Sequence, residues 1–137
     1  MIRGINHVTL SVSDIDRSFA FYRDVVGLRP IARWARGAYF LAGDQWIALS
    51  LDAATRMGAL AEYSHLAFDV SPADFDSAAA AVRDSDATVF KENRSEGASL
   101  YFLDPDGHKL ELHASTLEAR LAAMQAEQWD DLELFEL

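Results

Sequence analysis

Two of the four histidines in this 137-residue chain, His7 in HVTLSV and His65 in HLAFDV, stand at the same point of two nearly matching segments. Glu111, in HKLELHA, is a carboxylate flanked by Leu110 and Leu112. A carboxylate that projects from an apolar strand is costly to bury unpaired. A cation removes that cost, and two imidazoles with one carboxylate are a recurrent catalytic metal set that leaves coordination positions open. The competing readings are an ordinary hydrogen-bonded strand histidine, a solvated glutamate, and His108 or His113 as the third ligand in place of Glu111. There is no cysteine, which excludes disulfides, thiolate ligands and a protein thiol nucleophile. Any thiol chemistry must import its sulfur.

The elements that position these residues repeat. HVTLSV alternates as a strand, and Ser13 with Asp16 gives an S-x-x-D start to a helix in DIDRSFAFYRDVV that Gly27 closes. HLAFDV leads in the same way to Ser71, Pro72 and Asp74, then to ADFDSAAAAVRDS. Strand patterns follow each helix: LRPIARW, GAYFLAG and QWIALSL, then ATVFKE, SLYFLD and HKLELHA. Both halves read βαβββ, so the expected fold class is α+β. The chain is one domain over 1–137, with module one at about 4–52, module two at about 63–114 and a C-terminal helix at about 115–127 that opens on Ser115 and Glu118. Tyr39-Phe40-Leu41 matches Tyr101-Phe102-Leu103 at an offset four residues larger than that of the histidines, and ENRSEGA is the expected place of the insertion. Carrying this offset forward sets Leu49 opposite Glu111.

Half of the residues are hydrophobic, enough for a core, and the apolar runs are far shorter than a bilayer span. A soluble, cytoplasmic protein with no membrane partner is the expectation. A net charge of −10, much of it in EQWDDLELFEL, argues against nucleic acid as a partner.

Paired βαβββ modules with a histidine on each first strand and a glutamate near the end resemble the vicinal oxygen chelate superfamily of glyoxalases, extradiol dioxygenases and antibiotic-resistance proteins. Within it, INHVTLSVSDIDRSFAFYRDVVGL, RWARGAYFLAGDQWIALS, EYSHLAF, KENRSEG and SLYFLDPDGHKLELHASTLEARLAAM resemble the fosfomycin-resistance glutathione transferases. The resemblance spans essentially the whole chain. It implies a metal site of His7, His65 and Glu111 holding Mn²⁺, with Zn²⁺, Ni²⁺ or Co²⁺ compatible with the same ligands, and fosfomycin and glutathione as substrates. It also implies a homodimer with exchanged modules, in which His7 comes from one chain and His65 with Glu111 from the other.

The same resemblance assigns further roles. Lys91, Ser95, Tyr101 and Arg120 contact phosphonate oxygens, and Thr9 donates to the epoxide oxygen as the ring opens. Trp46 and Tyr63 wall the pocket, Tyr39 lies near the path of the thiol, and Trp34, Arg36, Ser50 and Arg94 line the glutathione channel. The NRSEGAS loop corresponds to a K⁺ site built on Ser95, Glu96 and Ser99, with Ala98 where relatives carry an acidic residue. Three rival activities share the fold: an epoxide hydrolase or a transferase using another thiol, a metal-dependent dioxygenase or isomerase, and a drug-binding protein without catalysis. A hydrolase needs a carboxylate as general base, and Asp44 in AGDQW is the candidate.

Overall fold

The computed structural model describes residues 1–136. Eight strands and three helices run in the order β1 (His7–Val12), α1 (Ile15–Ala20, continuing as a π-helical turn over Phe21–Val25), β2 (Arg29–Trp34), β3 (Gly37–Ala42), β4 (Gln45–Leu51), β5 (Leu66–Asp69), α2 (Phe75–Arg83), β6 (Val89–Lys91), β7 (Ala98–Leu103), β8 (Lys109–Ala114) and α3 (Leu117–Ala126). The strands form two four-stranded sheets of matching topology, β1-β4-β3-β2 and β5-β8-β7-β6, in which the outer pairs β1·β4 and β5·β8 are parallel and the rest antiparallel. The α+β class and the tandem βαβββ plan are therefore present. No helix among the described residues is long and apolar enough to cross a membrane.

Alternation sends one face of each sheet inward. Val12, Phe40, Ile47, Leu49, Leu100, Phe102, Leu110 and Leu112 pack there with Ile15, Phe19 and Tyr22 of the first helix and Ala79 and Val82 of α2. Polar bonds pin the modules together at the DPDGH turn that precedes β8. Asp106 accepts from the Ser13 amide (3.2 Å) and hydroxyl (2.5 Å) and from Arg17 Nη2 (3.0 Å). Asp104 Oδ2 accepts from Tyr22 Oη at 2.7 Å, and the other oxygen accepts the Asp106 and His108 amides at 2.9 Å each. Burial pushes the Asp104 carboxyl up and is the largest influence on it, with Tyr22 pulling the other way.

This use of Ser13 corrects the first helix start. Its hydroxyl is drawn to Asp106, and Asp14 is the N-cap, accepting from the Arg17 amide at 3.0 Å. The third helix is capped by Thr116, which accepts from the Ala119 amide at 3.1 Å, because Ser115 donates to Glu96 instead. Ser71 and Asp74 do bond to each other, but residues 72–74 form a turn and the helix begins only at Phe75, so Pro72 does not open it. The register also moves the expected counterpart of Glu111. Tyr39 pairs with Ala48 as Tyr101 pairs with Glu111, and Thr9 pairs with Ala48 as Ala67 pairs with Glu111. Ala48, not Leu49, is the equivalent residue, because the turn before β8 is one residue longer than a constant offset allows. The inserted residues do lie where expected: β2 and β3 are joined by 35–36, whereas β6 and β7 are joined by 92–97.

Candidate functional site

The inward faces of the sheets make the core; the opposite faces carry the chemistry. His7 and Thr9 are exposed on the outer face of β1. The His7 ring stacks at 4.4 Å on Trp46, which meets Tyr39 edge-on at 4.9 Å, and Tyr39 meets Trp34 at 4.9 Å. Trp46 Nε1 is buried without a hydrogen-bond partner among the described residues. His7 Nδ1 donates to Asn6 Oδ1 at 2.7 Å, which leaves Nε2 as the nitrogen that bears the lone pair.

The second half repeats this device. His65 lies one residue before β5, and its Nδ1 donates to the Tyr63 carbonyl at 2.9 Å. A carbonyl only accepts, so Nε2 is the unprotonated nitrogen of the neutral ring. That nitrogen lies 3.0 Å from Oε1 of Glu111, whose side chain is almost wholly buried. Two acceptors this close repel unless a cation or a proton lies between them. Ligating histidines ordinarily donate their second ring nitrogen to a carbonyl or carboxylate, the arrangement found here. The donor set therefore fits a divalent metal.

The other oxygen of Glu111 is occupied. Ser99 Oγ donates to Oε2 at 2.6 Å and, its one hydrogen being used, accepts from His113 Nδ1 at 2.6 Å. This arrangement orients Glu111 so that Oε1 faces His65. His113 thus supports the carboxylate with a nitrogen that carries hydrogen, and it is not placed as a ligand through Nδ1. Nor is His108, whose Nε2 donates to the Ser11 carbonyl (2.7 Å) while Nδ1 accepts from Arg56 Nη1 (2.9 Å). The roles of His113 and Ser99 behind Glu111 were not read from the sequence, although the i, i+2 spacing of Glu111 and His113 put them on one strand face.

The anion-binding candidates gather beside this pair. Lys91 Nζ donates to Tyr63 Oη at 2.5 Å and lies over the rings of Tyr63 (4.2 Å) and Tyr101 (4.7 Å). The hydrogen bond to Tyr63 holds the Lys91 ammonium above its ordinary pKa, so the cation persists at neutral pH. Burial pushes the Tyr101 phenol up, against the opposing effect of the Ser95 hydroxyl. In the 92–97 loop, Asn93 Oδ1 accepts from the Ser95 amide and hydroxyl at 3.0 Å each, and Asn93 Nδ2 donates to the Gly97 carbonyl at 2.8 Å. Gly97 adopts φ +80°, and a Cβ there would meet Ser115 Cβ at 2.6 Å. Arg120 Nη2 donates to the Glu96 carbonyl at 3.4 Å, while Arg120 Nε and Glu96 Oε2 stand 3.6 Å apart, both buried and without a hydrogen bond.

The expected residues thus form two clusters. Tyr63, His65, Lys91, Tyr101, Ser99 and Glu111 are contiguous in the second module; His7, Thr9, Tyr39 and Trp46 line the first. Among the described residues no group of three His, Asp or Glu side chains is gathered to hold a metal. One chain brings together two of the three expected ligands.

Comparison with known proteins agrees with the geometry. The Glyoxalase/Bleomycin resistance protein/Dioxygenase superfamily profile matches residues 4–112. The glutathione transferase FosA of Serratia marcescens is 48% identical over 125 residues, covering 90% of this chain and 89% of that protein. The metallothiol transferase FosB of Shouchella clausii is 37% identical, covering 89% and 87%. A variant of the fosfomycin resistance protein FosX from Listeria monocytogenes, crystallised with Mn(II) and 1S,2S-dihydroxypropylphosphonic acid, superposes with a TM-score of 0.77 at 31% identity over 90% of this chain and 98% of that one.

Proposed function

The chain belongs to the Glyoxalase/Bleomycin resistance protein/Dioxygenase superfamily, and we propose that within it the protein is a divalent-metal-dependent transferase that adds the thiol of glutathione to the epoxide of fosfomycin, conferring resistance. The observation that carries this reading is the His65–Glu111 pair, an imidazole nitrogen and a carboxylate oxygen 3.0 Å apart and suited to share a cation, beside the Lys91–Tyr63–Tyr101 cluster suited to an oxyanion. Likeness to the Serratia enzyme supports glutathione as the thiol.

His7, His65 and Glu111 would hold the metal, Mn²⁺ in this reading. A divalent ion bound there supplies Lewis acidity toward the epoxide oxygen and offsets phosphonate charge that would repel an incoming thiolate. Lys91, Ser95, Tyr101 and Arg120 orient the phosphonate for in-line attack. The thiol gives up its proton to solvent and its sulfur forms the new C–S bond, the C–O electron pair passes to oxygen, and that oxygen, held by a hydrogen bond from Thr9, takes a proton from solvent to become the hydroxyl. Trp46 and Tyr63 wall the substrate, with Tyr39 beside the thiol. Ser95, Glu96 and Ser99 are the groups for a K⁺ ion next to the phosphonate. Because His7 stands on a different sheet from His65 and Glu111, the complete site is proposed to form between two chains that exchange modules.

The test is to incubate the purified protein with Mn²⁺, K⁺, fosfomycin and glutathione and to analyse the product by mass spectrometry. The thioether adduct is expected; unchanged antibiotic or the diol alone overturns the proposal. Asp44, the base a hydrolase would need, lies in the turn between β3 and β4, and formation of the diol rather than the adduct in this assay would point to it.

A further inference from the structure

His7 is held in a way that its counterpart in the second module is not. His65 gives its Nδ1 hydrogen to main chain, the Tyr63 carbonyl at 2.9 Å, an acceptor that no side-chain substitution removes. For His7 the acceptor is a side chain, Asn6 Oδ1 at 2.7 Å. The residue one position before His65 is Ser64, so the duplicated frame does not repeat the asparagine.

Asn6 is itself fixed from β4. Gln45 Nε2 donates to the Asn6 carbonyl at 3.3 Å. The next residue, Trp46, is paired with His7 in the parallel register and stacks on its ring at 4.4 Å. Two neighbours at the start of β4 thus hold Asn6 and His7 at the start of β1. The Trp46 face limits the tilt of the imidazole, and the Asn6 oxygen decides which ring nitrogen carries the hydrogen. Both Asn6 and His7 are exposed, and a hydrogen bond between exposed neighbours in sequence is readily exchanged for one to water. It therefore adds little to the stability of the fold, and its effect falls on the ring.

We infer that Asn6 is a positioning residue for the metal site: by accepting from His7 Nδ1 it fixes the tautomer in which Nε2 can bind a cation, and it does so before any metal arrives. The inference rests on the metal reading given above. It makes the first-module ligand the adjustable one, since metal affinity can be changed at Asn6 without altering a ligand. An acceptor on the second nitrogen also raises the basicity of a ligating imidazole, and its loss ordinarily lowers metal affinity about ten- to hundredfold.

The test titrates metal-free wild type, Asn6→Ala and Asn6→Asp with Mn²⁺ and follows the free ion by electron paramagnetic resonance. Asn6→Ala should raise the Kd about ten- to hundredfold. Asn6→Asp keeps an acceptor at the same reach and should bind at least as tightly as wild type. Unchanged affinity in Asn6→Ala overturns the inference, as does equal weakening in both variants, the result a packing role would give. Failure of wild type to bind Mn²⁺ would instead remove the metal reading, and the role with it. Nitrogen-15 NMR of the metal-free proteins, with the ring neutral, reads the tautomer without metal or turnover. The hydrogen should lie on His7 Nδ1 in wild type and in Asn6→Asp and shift toward Nε2 in Asn6→Ala. A wild-type ring with its hydrogen on Nε2, or one tautomer in all three proteins, rejects the assignment even if Mn²⁺ binds tightly.

Discussion

Tyr22 Oη donates to Asp104 Oδ2 at 2.7 Å within the core, joining the helix of the first module to the turn before the last strand of the second. Both groups are shielded from water, so neither can exchange its partner for solvent. Removing the phenol hydroxyl strands a buried carboxylate oxygen.

Tyr22→Phe should therefore destabilise the protein by about 1–3 kcal/mol at pH 7, the cost of one unsatisfied buried polar group. The pH dependence has a definite sign. The Asp104 pKa is already raised in the folded state, and losing the Tyr22 bond raises it further. The folded variant then holds a proton that the unfolded chain, with an aspartate pKa of about 3.9, has released. Its deficit relative to wild type should shrink as pH falls toward that value. Urea titrations of both proteins between neutral and mildly acidic pH check this, and a deficit that grows on acidification would contradict it.

Glu111→Ala should abolish metal binding and turnover together, since it removes the carboxylate partner of His65 Nε2. Thr9→Ala should hold metal as wild type does in equilibrium dialysis while turnover drops by about tenfold or more, the loss of one donor to developing negative charge. Parallel loss of metal in both variants would refute the division of roles.

Lys91→Ala should raise the KM for fosfomycin about tenfold or more, as expected for one charge-assisted contact to the phosphonate. Because Lys91 also holds Tyr63 Oη at 2.5 Å, Tyr63→Phe offers a control that keeps the cation and removes only the acceptor. Steady-state kinetics on the pair should show the larger effect for the lysine.

The proposed exchange of modules predicts complementation. His7→Ala and Glu111→Ala should each be inactive alone. In a mixed dimer, one of the two sites combines the intact His7 of one chain with the intact His65 and Glu111 of the other. Unfolding an equal mixture and refolding it should restore about one quarter of wild-type activity if chains pair at random. No recovery, with mixed dimers demonstrated by mass spectrometry, would mean that each site is built from a single chain.

Much of this arrangement was legible in the residues. The matched HVTLSV and HLAFDV segments announced a duplicated βαβββ plan because strand alternation and helix periodicity survive in both copies. The helix starts were less legible: Ser13 and Ser115 satisfy a local capping pattern, but each hydroxyl is drawn to a carboxylate distant in sequence, Asp106 or Glu96. The counterpart of Glu111 was misplaced by one residue because turn length shifts register without leaving a sequence signal. The bond from Ser99 to Glu111 was hidden for a related reason. It crosses between adjacent strands, and only their register reveals it.

The exchange of Ala48 for Glu111 at equivalent points of the two sheets has an outcome for stereochemistry. A frame with near two-fold symmetry would by itself admit a bound molecule in either of two opposed orientations. With a methyl at one position and a carboxylate at its equivalent, and with Thr9 on the first sheet standing where the second has Ala67, those orientations are no longer equivalent. In the proposed transferase a small chiral epoxide would then have one favoured way to lie, with one ring carbon rather than the other presented to the nucleophile.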